Sequence, residues 1–139
     1  LHEFAHVATF ELAQGEPPEW LDEGIATHFS HELSSRQARF VISTAARTGR
    51  MLSLRRIDAI LNDSDERKDR PEMVDAAYFL SGSFVEFWIS RHGMGTVREA
   101  LLGLRNTDHI DRAIRRATGE RLSAMEREWR RRLVECAVR

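Results

Sequence analysis

Two histidines four positions apart, His2 and His6, constrain this chain more than any other feature. On an α-helix, residues four apart lie one turn above each other and about 40° apart around the axis. A helix therefore directs both imidazoles to one point, where they can bind a single metal ion. Glu3, one residue after His2, need not bind the ion and is free to act beside it.

A third ligand can come from a second helix that returns alongside the first. Between His6 and Glu23 lie 16 residues, enough to end one helix, turn at Pro17-Pro18 and start another. Three carboxylates compete for the role, and helical spacing does not choose among them: Glu19, Asp22 and Glu23.

Histidine nitrogens and a carboxylate oxygen are ligands that zinc accepts. A catalytic zinc site uses three protein ligands and keeps the fourth position for a water molecule. The ion lowers the pKa of that water to about 7, so Glu3 is predicted to take its proton as a general base and pass it to the leaving amine. We therefore predict one Zn²⁺ per chain.

Two segments, HEFAH at residues 2–6 and WLDEGIA at residues 20–26, resemble those of gluzincin zinc metallopeptidases. These families include aminopeptidase-N-like enzymes and the bacterial peptidase MA-like domain. The resemblance implies that Glu23 is the third zinc ligand. It also implies that a downstream tyrosine donates a hydrogen bond to the oxyanion, and the only tyrosine is Tyr78. Weaker similarity to the helical tail of the peptidase MA-like domain continues through residues 78–84, 91–93 and 118–122.

The predicted fold class is mainly α within one domain fragment. Residues 1–33 form a zincin-like helix pair that carries the ligands, and residues 34–139 form a helical C-terminal subdomain. A helix that begins at its own ligand lacks a preceding turn, so we expect the β-sheet of a parent α+β domain to lie upstream. In aminopeptidase-N-like enzymes the motif that anchors the substrate's amine also lies upstream, so exopeptidase activity is not implied.

Helical periodicity dominates, and no segment alternates like a strand. Helices are predicted at residues 1–14 (ending before Gly15), 20–33, 35–47, 54–61, 72–92, 96–104 and 108–117. Residues 62–71 are predicted to be an exposed loop, and residues 72–92 a helix buried on most sides. A capping box, Ser123 with Glu126, is predicted to open the last helix. That helix would bury a stripe formed by Met125, Trp129, Leu133 and Cys136.

The charge balance excludes some partners. With 21 Lys and Arg against 22 Asp and Glu the net charge is −1, which does not favour nucleic acid. No apolar run approaches the roughly 20 residues of a membrane span, so we expect no membrane contact by this segment. The expected partner is a peptide or protein substrate.

Two alternatives to a metallopeptidase remain at this stage. The chain could be a non-catalytic helical interaction domain with a structural or vestigial metal site, although a structural site needs no general base such as Glu3. Glu3-x-x-His6 also fits a di-iron bundle, but that site needs a second Glu-x-x-His, which the sequence lacks. For His28 and His31 we expect roles beside the ligands or at the surface.

Overall fold

The computed structural model describes residues 1–138, in which it contains nine α-helices, one 3₁₀ turn and no strand. The predicted mainly α fold class is therefore confirmed. The 3₁₀ turn spans Glu32–Ser34. The helices are α1 (His2–Ala13), α2 (Glu19–Phe29), α3 (Arg36–Arg47), α4 (Leu54–Asn62), α5 (Ser64–Asp69), α6 (Pro71–His92), α7 (Met94–Gly103), α8 (Ile110–Thr118) and α9 (Leu122–Ala137).

Helix α6 lies at the centre of the molecule and contacts α2, α3, α4, α5, α7 and α9. Its apolar side chains are fully buried, among them Leu80, Phe84, Val85 and Trp88. Because the helix is apolar on most sides, it can be covered from several directions at once. The prediction of a buried central helix is confirmed.

Two glycines allow α2 and α6 to approach closely. A Cβ atom at Gly24 would lie 2.8 Å from the backbone oxygen of Ser81 and 2.8 Å from Val85. On the other helix, a Cβ atom at Gly82 would lie 2.8 Å from the methyl group of Thr27. These separations are too short for a side chain, so both positions need glycine. The contact holds α2 in register against the central helix.

The turn between α1 and α2 ends the first helix earlier than predicted. Gln14, not Gly15, adopts the left-handed conformation that terminates α1, with φ 53°. Pro18 then stands at the N-cap of α2 and offers no side-chain acceptor. Asp58 of α4 fills that role, because its Oδ1 accepts a hydrogen bond of 3.1 Å from the backbone nitrogen of Trp20.

Arg105, after α7, binds the C-terminal end of α1. Its guanidinium donates to the carbonyl oxygens of Leu12 at 2.7 Å and Glu11 at 3.1 Å. The last carbonyls of a helix have no partner within the helix, and a cation there also opposes the negative end of the helix dipole. The helix that carries both histidines is thus held from the C-terminal half of the chain.

The prediction of a loop at residues 62–71 is wrong, because α5 occupies most of this segment. Asp63 caps the helix by accepting hydrogen bonds from the backbone nitrogens of Asp65 and Glu66. Acidic residues then occupy the first turn and basic residues the last, which suits the helix dipole. Local polar interactions therefore form a helix that buries no residue.

The predicted capping box of the last helix is also wrong. Helix α9 begins at Leu122 with no side-chain cap, so Ser123 lies inside its first turn. Glu126 accepts a hydrogen bond of 2.9 Å from the backbone nitrogen of Leu54 instead. Of the predicted stripe, Met125 and Trp129 are buried, whereas Cys136 is exposed rather than buried.

Helix α1 presents apolar side chains to solvent. Leu1 is 82% exposed and Phe4 76%, and Val7 and Phe10 are also exposed. The residues that α1 buries are small: Ala5, Thr9 and Ala13. Among residues 1–138, none of the helices combines the length and the apolar character needed to cross a membrane.

Candidate metal centre

Three side chains from α1 and α2 converge on one point. The Nε2 atom of His2 lies 3.3 Å from Oε2 of Glu23, and Nε2 of His6 lies 3.5 Å from the same oxygen. One ligand atom from each residue falls within 4.8 Å of the others. The contact between α1 and α2 thus brings Glu23, and neither Glu19 nor Asp22, next to both Nε2 atoms.

Each histidine makes a second contact through its other ring nitrogen. Nδ1 of His6 lies 2.9 Å from Oδ2 of Asp22, and Nδ1 of His2 lies 2.9 Å from Oε1 of Glu32. Asp22 therefore contacts Nδ1 of His6 and is not part of the cluster of His2, His6 and Glu23. Both imidazoles are held between a carboxylate on one side and Glu23 on the other.

The electrostatics of the cluster combine burial with a high density of carboxylates. Burial acts to lower the pKa of His6, but the charge and hydrogen bond of Asp22, with the charges of Glu23 and Glu3, raise it above its usual value. Burial raises the pKa of Glu23, and the two histidines only partly oppose this effect. The pocket therefore disfavours an isolated negative charge on Glu23.

Glu3 and Tyr78 lie near this cluster without belonging to it. Glu3 is exposed on α1, and its charge acts on His6. Tyr78 is half-buried on α6. Burial and then the charge of Glu23 raise the pKa of its hydroxyl, so Tyr78 stays protonated at neutral pH. The hydroxyl is close enough to Glu23 for that charge to act on it.

The other candidates of the sequence lie outside the cluster. Glu19, one turn before Glu23, is half-buried, and burial followed by the charges of Glu23 and Asp22 raises its pKa. The ring of His28 packs edge-on against Phe29 at 5.1 Å. His31 is exposed and adopts a left-handed conformation with φ 62°, so it serves the turn that follows α2.

Sequence reasoning missed Glu32 because it extended the second helix to residue 33. On such a helix Glu32 would lie two and a half turns beyond Glu23. In the structure α2 ends at Phe29, and the turn through His31 brings Glu32 back to the start of α1. A local pattern does not reveal this contact, which joins residues 30 positions apart.

These residues fit a zinc ion. Oε2 of Glu23 is buried and accepts no hydrogen bond from residues 1–138, an arrangement that is costly unless a cation lies beside it. The two nearest nitrogens are the Nε2 atoms, whose rings already use Nδ1 for a carboxylate. Two imidazole nitrogens and one glutamate oxygen form a donor set of catalytic zinc sites.

A family model of the Peptidase MA superfamily matches residues 1–135. The chain belongs to this superfamily. The match covers both metal-site helices and nearly all of the helices that follow them, so the resemblance to the peptidase MA-like domain is confirmed. No curated protein and no solved structure matches the chain significantly.

Membership of the Peptidase MA superfamily supports a metallopeptidase-like domain. The superfamily is typically associated with zinc, in keeping with the cluster of His2, His6 and Glu23. The metallopeptidase-like character of the domain therefore rests on two observations, the family match and the geometry of the cluster.

Proposed function

We propose that this chain carries the catalytic centre of a zinc-dependent metallopeptidase that hydrolyses peptide bonds. The observation that carries the proposal is the convergence of His2, His6 and Glu23 around a buried carboxylate oxygen without a hydrogen-bond donor. The first two residues come from one helix face and the third from the neighbouring helix. One zinc ion per chain would be held by these three side chains.

The residues beside the cluster supply the remaining chemistry. When bound, zinc would polarise the scissile carbonyl and lower the pKa of a bound water. Glu3 is exposed next to His2, where its carboxylate can accept the proton of the attacking water and pass it to the leaving nitrogen. Tyr78 keeps its proton and can donate a hydrogen bond to the carbonyl oxygen as that oxygen becomes negative.

A second candidate function is a helical interaction domain in which the metal has no catalytic role. The exposed apolar residues of α1 favour it, because contiguous apolar surface marks interaction sites in soluble proteins. In that case the chain binds zinc, yet Glu3 has no function. Peptide hydrolysis therefore separates the two candidates.

The test compares the protein with its Glu3→Gln variant. Zinc content is measured by mass spectrometry of the metal, and hydrolysis by the fragments released from a random-sequence peptide mixture. We expect one zinc per chain in both proteins and a loss of about 10²–10⁴-fold in rate for Glu3→Gln. Glu11→Gln, which removes an exposed glutamate from the same helix, is the matched control and should retain the rate.

Two results would contradict the proposal. Undiminished hydrolysis by Glu3→Gln would remove the general base from the mechanism. A wild-type protein that binds zinc but cleaves no peptide would favour the interaction domain.

A further inference from the structure

In both candidate zinc-binding histidines, Nδ1 contacts a carboxylate that lies outside the cluster of His2, His6 and Glu23. Asp22 faces Nδ1 of His6, and Glu32 faces Nδ1 of His2, each at 2.9 Å. The opposite nitrogens are the ones that approach Oε2 of Glu23, at 3.3 and 3.5 Å. The same arrangement thus occurs twice, with carboxylates from different parts of the chain.

Asp22 is itself held by a buried hydroxyl. Thr9, only 2% exposed, lies on α1 one turn after His6, and its Oγ1 is hydrogen-bonded to Oδ1 of Asp22. The same hydroxyl lies 3.0 Å from the carbonyl oxygen of His6. One oxygen of the carboxylate therefore contacts Thr9 while the other contacts the imidazole. Asp22 cannot turn away from His6 without losing the contact with Thr9.

Glu32 is held by the turn that follows α2. Its Oε1 accepts a hydrogen bond of 2.6 Å from Oγ of Ser30, and the same oxygen faces His2. The left-handed conformation of His31 reverses the chain between these two residues. The turn thus directs the carboxylate toward the first turn of α1.

These contacts determine which nitrogen of each ring is available to a metal ion. A neutral imidazole carries one hydrogen and one lone pair, on different nitrogens. A carboxylate can only accept, so the hydrogen resides on the Nδ1 that faces it. The lone pair then lies on Nε2, which faces Glu23. The carboxylate also fixes the ring orientation and makes Nε2 more basic.

We propose that Asp22 and Glu32 are positioning residues that hold His6 and His2 in the tautomer and orientation required for zinc. The inference rests on the proposed zinc site and adds two residues to it. Asp22 has the larger effect, because its side chain is 21% exposed and backed by Thr9, whereas that of Glu32 is 42% exposed. A more exposed pair is weakened more by water.

A simpler explanation is that any nearby negative charge attracts the cation. Glu19 provides the matched control, since it is half-buried, lies one turn before Glu23 and acts electrostatically on it. It contacts neither histidine. Glu19→Ala therefore removes a comparable charge without disturbing an imidazole, whereas Asp22→Ala and Glu32→Ala remove a charge together with the oxygen that accepts from a ring nitrogen.

The experiment measures zinc affinity by competition with a chelator, without reference to peptide hydrolysis. We expect Asp22→Ala to weaken zinc binding about 10–100-fold and Glu32→Ala by a smaller factor in the same direction. Glu19→Ala should stay within about threefold of the wild type. Nuclear magnetic resonance of the zinc-bound protein should show a slowly exchanging Nδ1 proton on His6, and this signal should be lost from Asp22→Ala.

The outcomes separate this inference from the function on which it rests. A wild-type protein without zinc affinity overturns both. If Asp22→Ala and Glu32→Ala weaken zinc binding no more than Glu19→Ala does, the positioning role is overturned and the zinc site remains. Thermal unfolding without zinc shows whether each variant is folded. If Asp22→Ala is not folded, Glu32→Ala at its more exposed site decides the outcome.

Discussion

Glu120 shows how a single carboxylate connects the C-terminal helices to the centre of the molecule. It lies between α8 and α9 and accepts two hydrogen bonds from Arg91 of α6, at 2.8 and 3.0 Å. Nε2 of the neighbouring His92 lies 2.7 Å from the same carboxylate. The hydrogen bond from Arg91, together with His92 and against a smaller opposing effect of burial, lowers the pKa of Glu120.

This lowered pKa predicts a stability that depends on pH. A carboxylate whose pKa is lower in the folded state stabilises the protein above its unfolded pKa, here about 4.5, and loses that contribution as the pH falls through the folded value. Glu120→Gln should therefore lower the free energy of unfolding by roughly 1 kcal/mol at neutral pH. The difference from the wild type should shrink once the pH falls below 4.5.

Urea unfolding of both proteins across this pH range checks the prediction. Glu86→Gln is the control, because Glu86 is an exposed glutamate of α6 without an ion pair among residues 1–138. A difference between Glu120→Gln and the wild type that stays constant with pH would show that Glu120 acts through packing and not through its charge.

Individual residues of the site could be predicted to the extent that they are local in sequence. His2, Glu3 and His6 lie within one and a half helical turns, so helical geometry alone relates them. The sequence presents Asp22 as one of three candidate carboxylates, but its contact with His6 depends on how α1 and α2 pair. Glu32 required the left-handed turn at His31, which has no marker such as glycine in the sequence.

At the scale of helices, the contact between α2 and α6 determines where Glu23 lies relative to the rest of the molecule. Gly24 follows Glu23 directly and lies against the backbone of Ser81. Any displacement of α2 at this position moves Glu23 as well. The close approach of the two helices therefore supports both the core and the site.

A methyl group at Gly24 should separate these helices. Gly24→Ala places a Cβ atom 2.8 Å from a backbone oxygen, which cannot move as a flexible side chain would. We expect a loss of about 1–3 kcal/mol in the free energy of unfolding and weaker zinc binding. Gly95→Ala is the matched control, since a Cβ atom there meets nothing within 4 Å and alanine favours the helix.

Urea unfolding and zinc competition measured on both variants test this expectation. If Gly24→Ala were as stable as Gly95→Ala, the two helices would be able to separate without cost, and the close approach would not position Glu23.

Helices with a strong apolar pattern could be predicted, and those without one could not. The helix at residues 72–92 can be predicted because apolar side chains cover most of its surface. Apolar periodicity does not reveal α5, which buries nothing, although Asp63 is a strong N-cap residue and is followed by acidic and then basic residues. The start of α9 differs from the predicted one because Glu126 contacts Leu54, 72 residues away, and not its own helix.

Across the whole molecule, charge is divided unevenly along the chain. Residues 1–35 contain seven Asp and Glu and no Lys or Arg, although the net charge of the chain is −1. All 21 basic residues therefore follow the helix pair that carries the site. The near-neutral total conceals an acidic segment, and a segment of this kind favours a bound cation.

The site thus imposes a cost on the protein that a metal ion can remove. Oε2 of Glu23 is withdrawn from water and accepts no hydrogen bond from the described residues. A ligand that binds only the folded state stabilises it by about 2.7 kcal/mol at a concentration 100 times its dissociation constant. Stability and metal binding are therefore linked through this one side chain.

Glu23→Gln should change stability in opposite directions with and without zinc. Without metal, the amide avoids burying a charge, so we expect the free energy of unfolding of the variant to exceed that of the wild type by roughly 1 kcal/mol. The metal-free variant should therefore unfold at a higher temperature. With zinc, the wild type gains stability and the variant, which lacks the carboxylate ligand, gains little. Thermal unfolding with a chelator and with excess zinc measures both effects, and Glu11→Gln should follow the wild type in each. A metal-free Glu23→Gln less stable than the wild type would mean that the carboxylate stabilises the helix pair through His2 and His6 on its own.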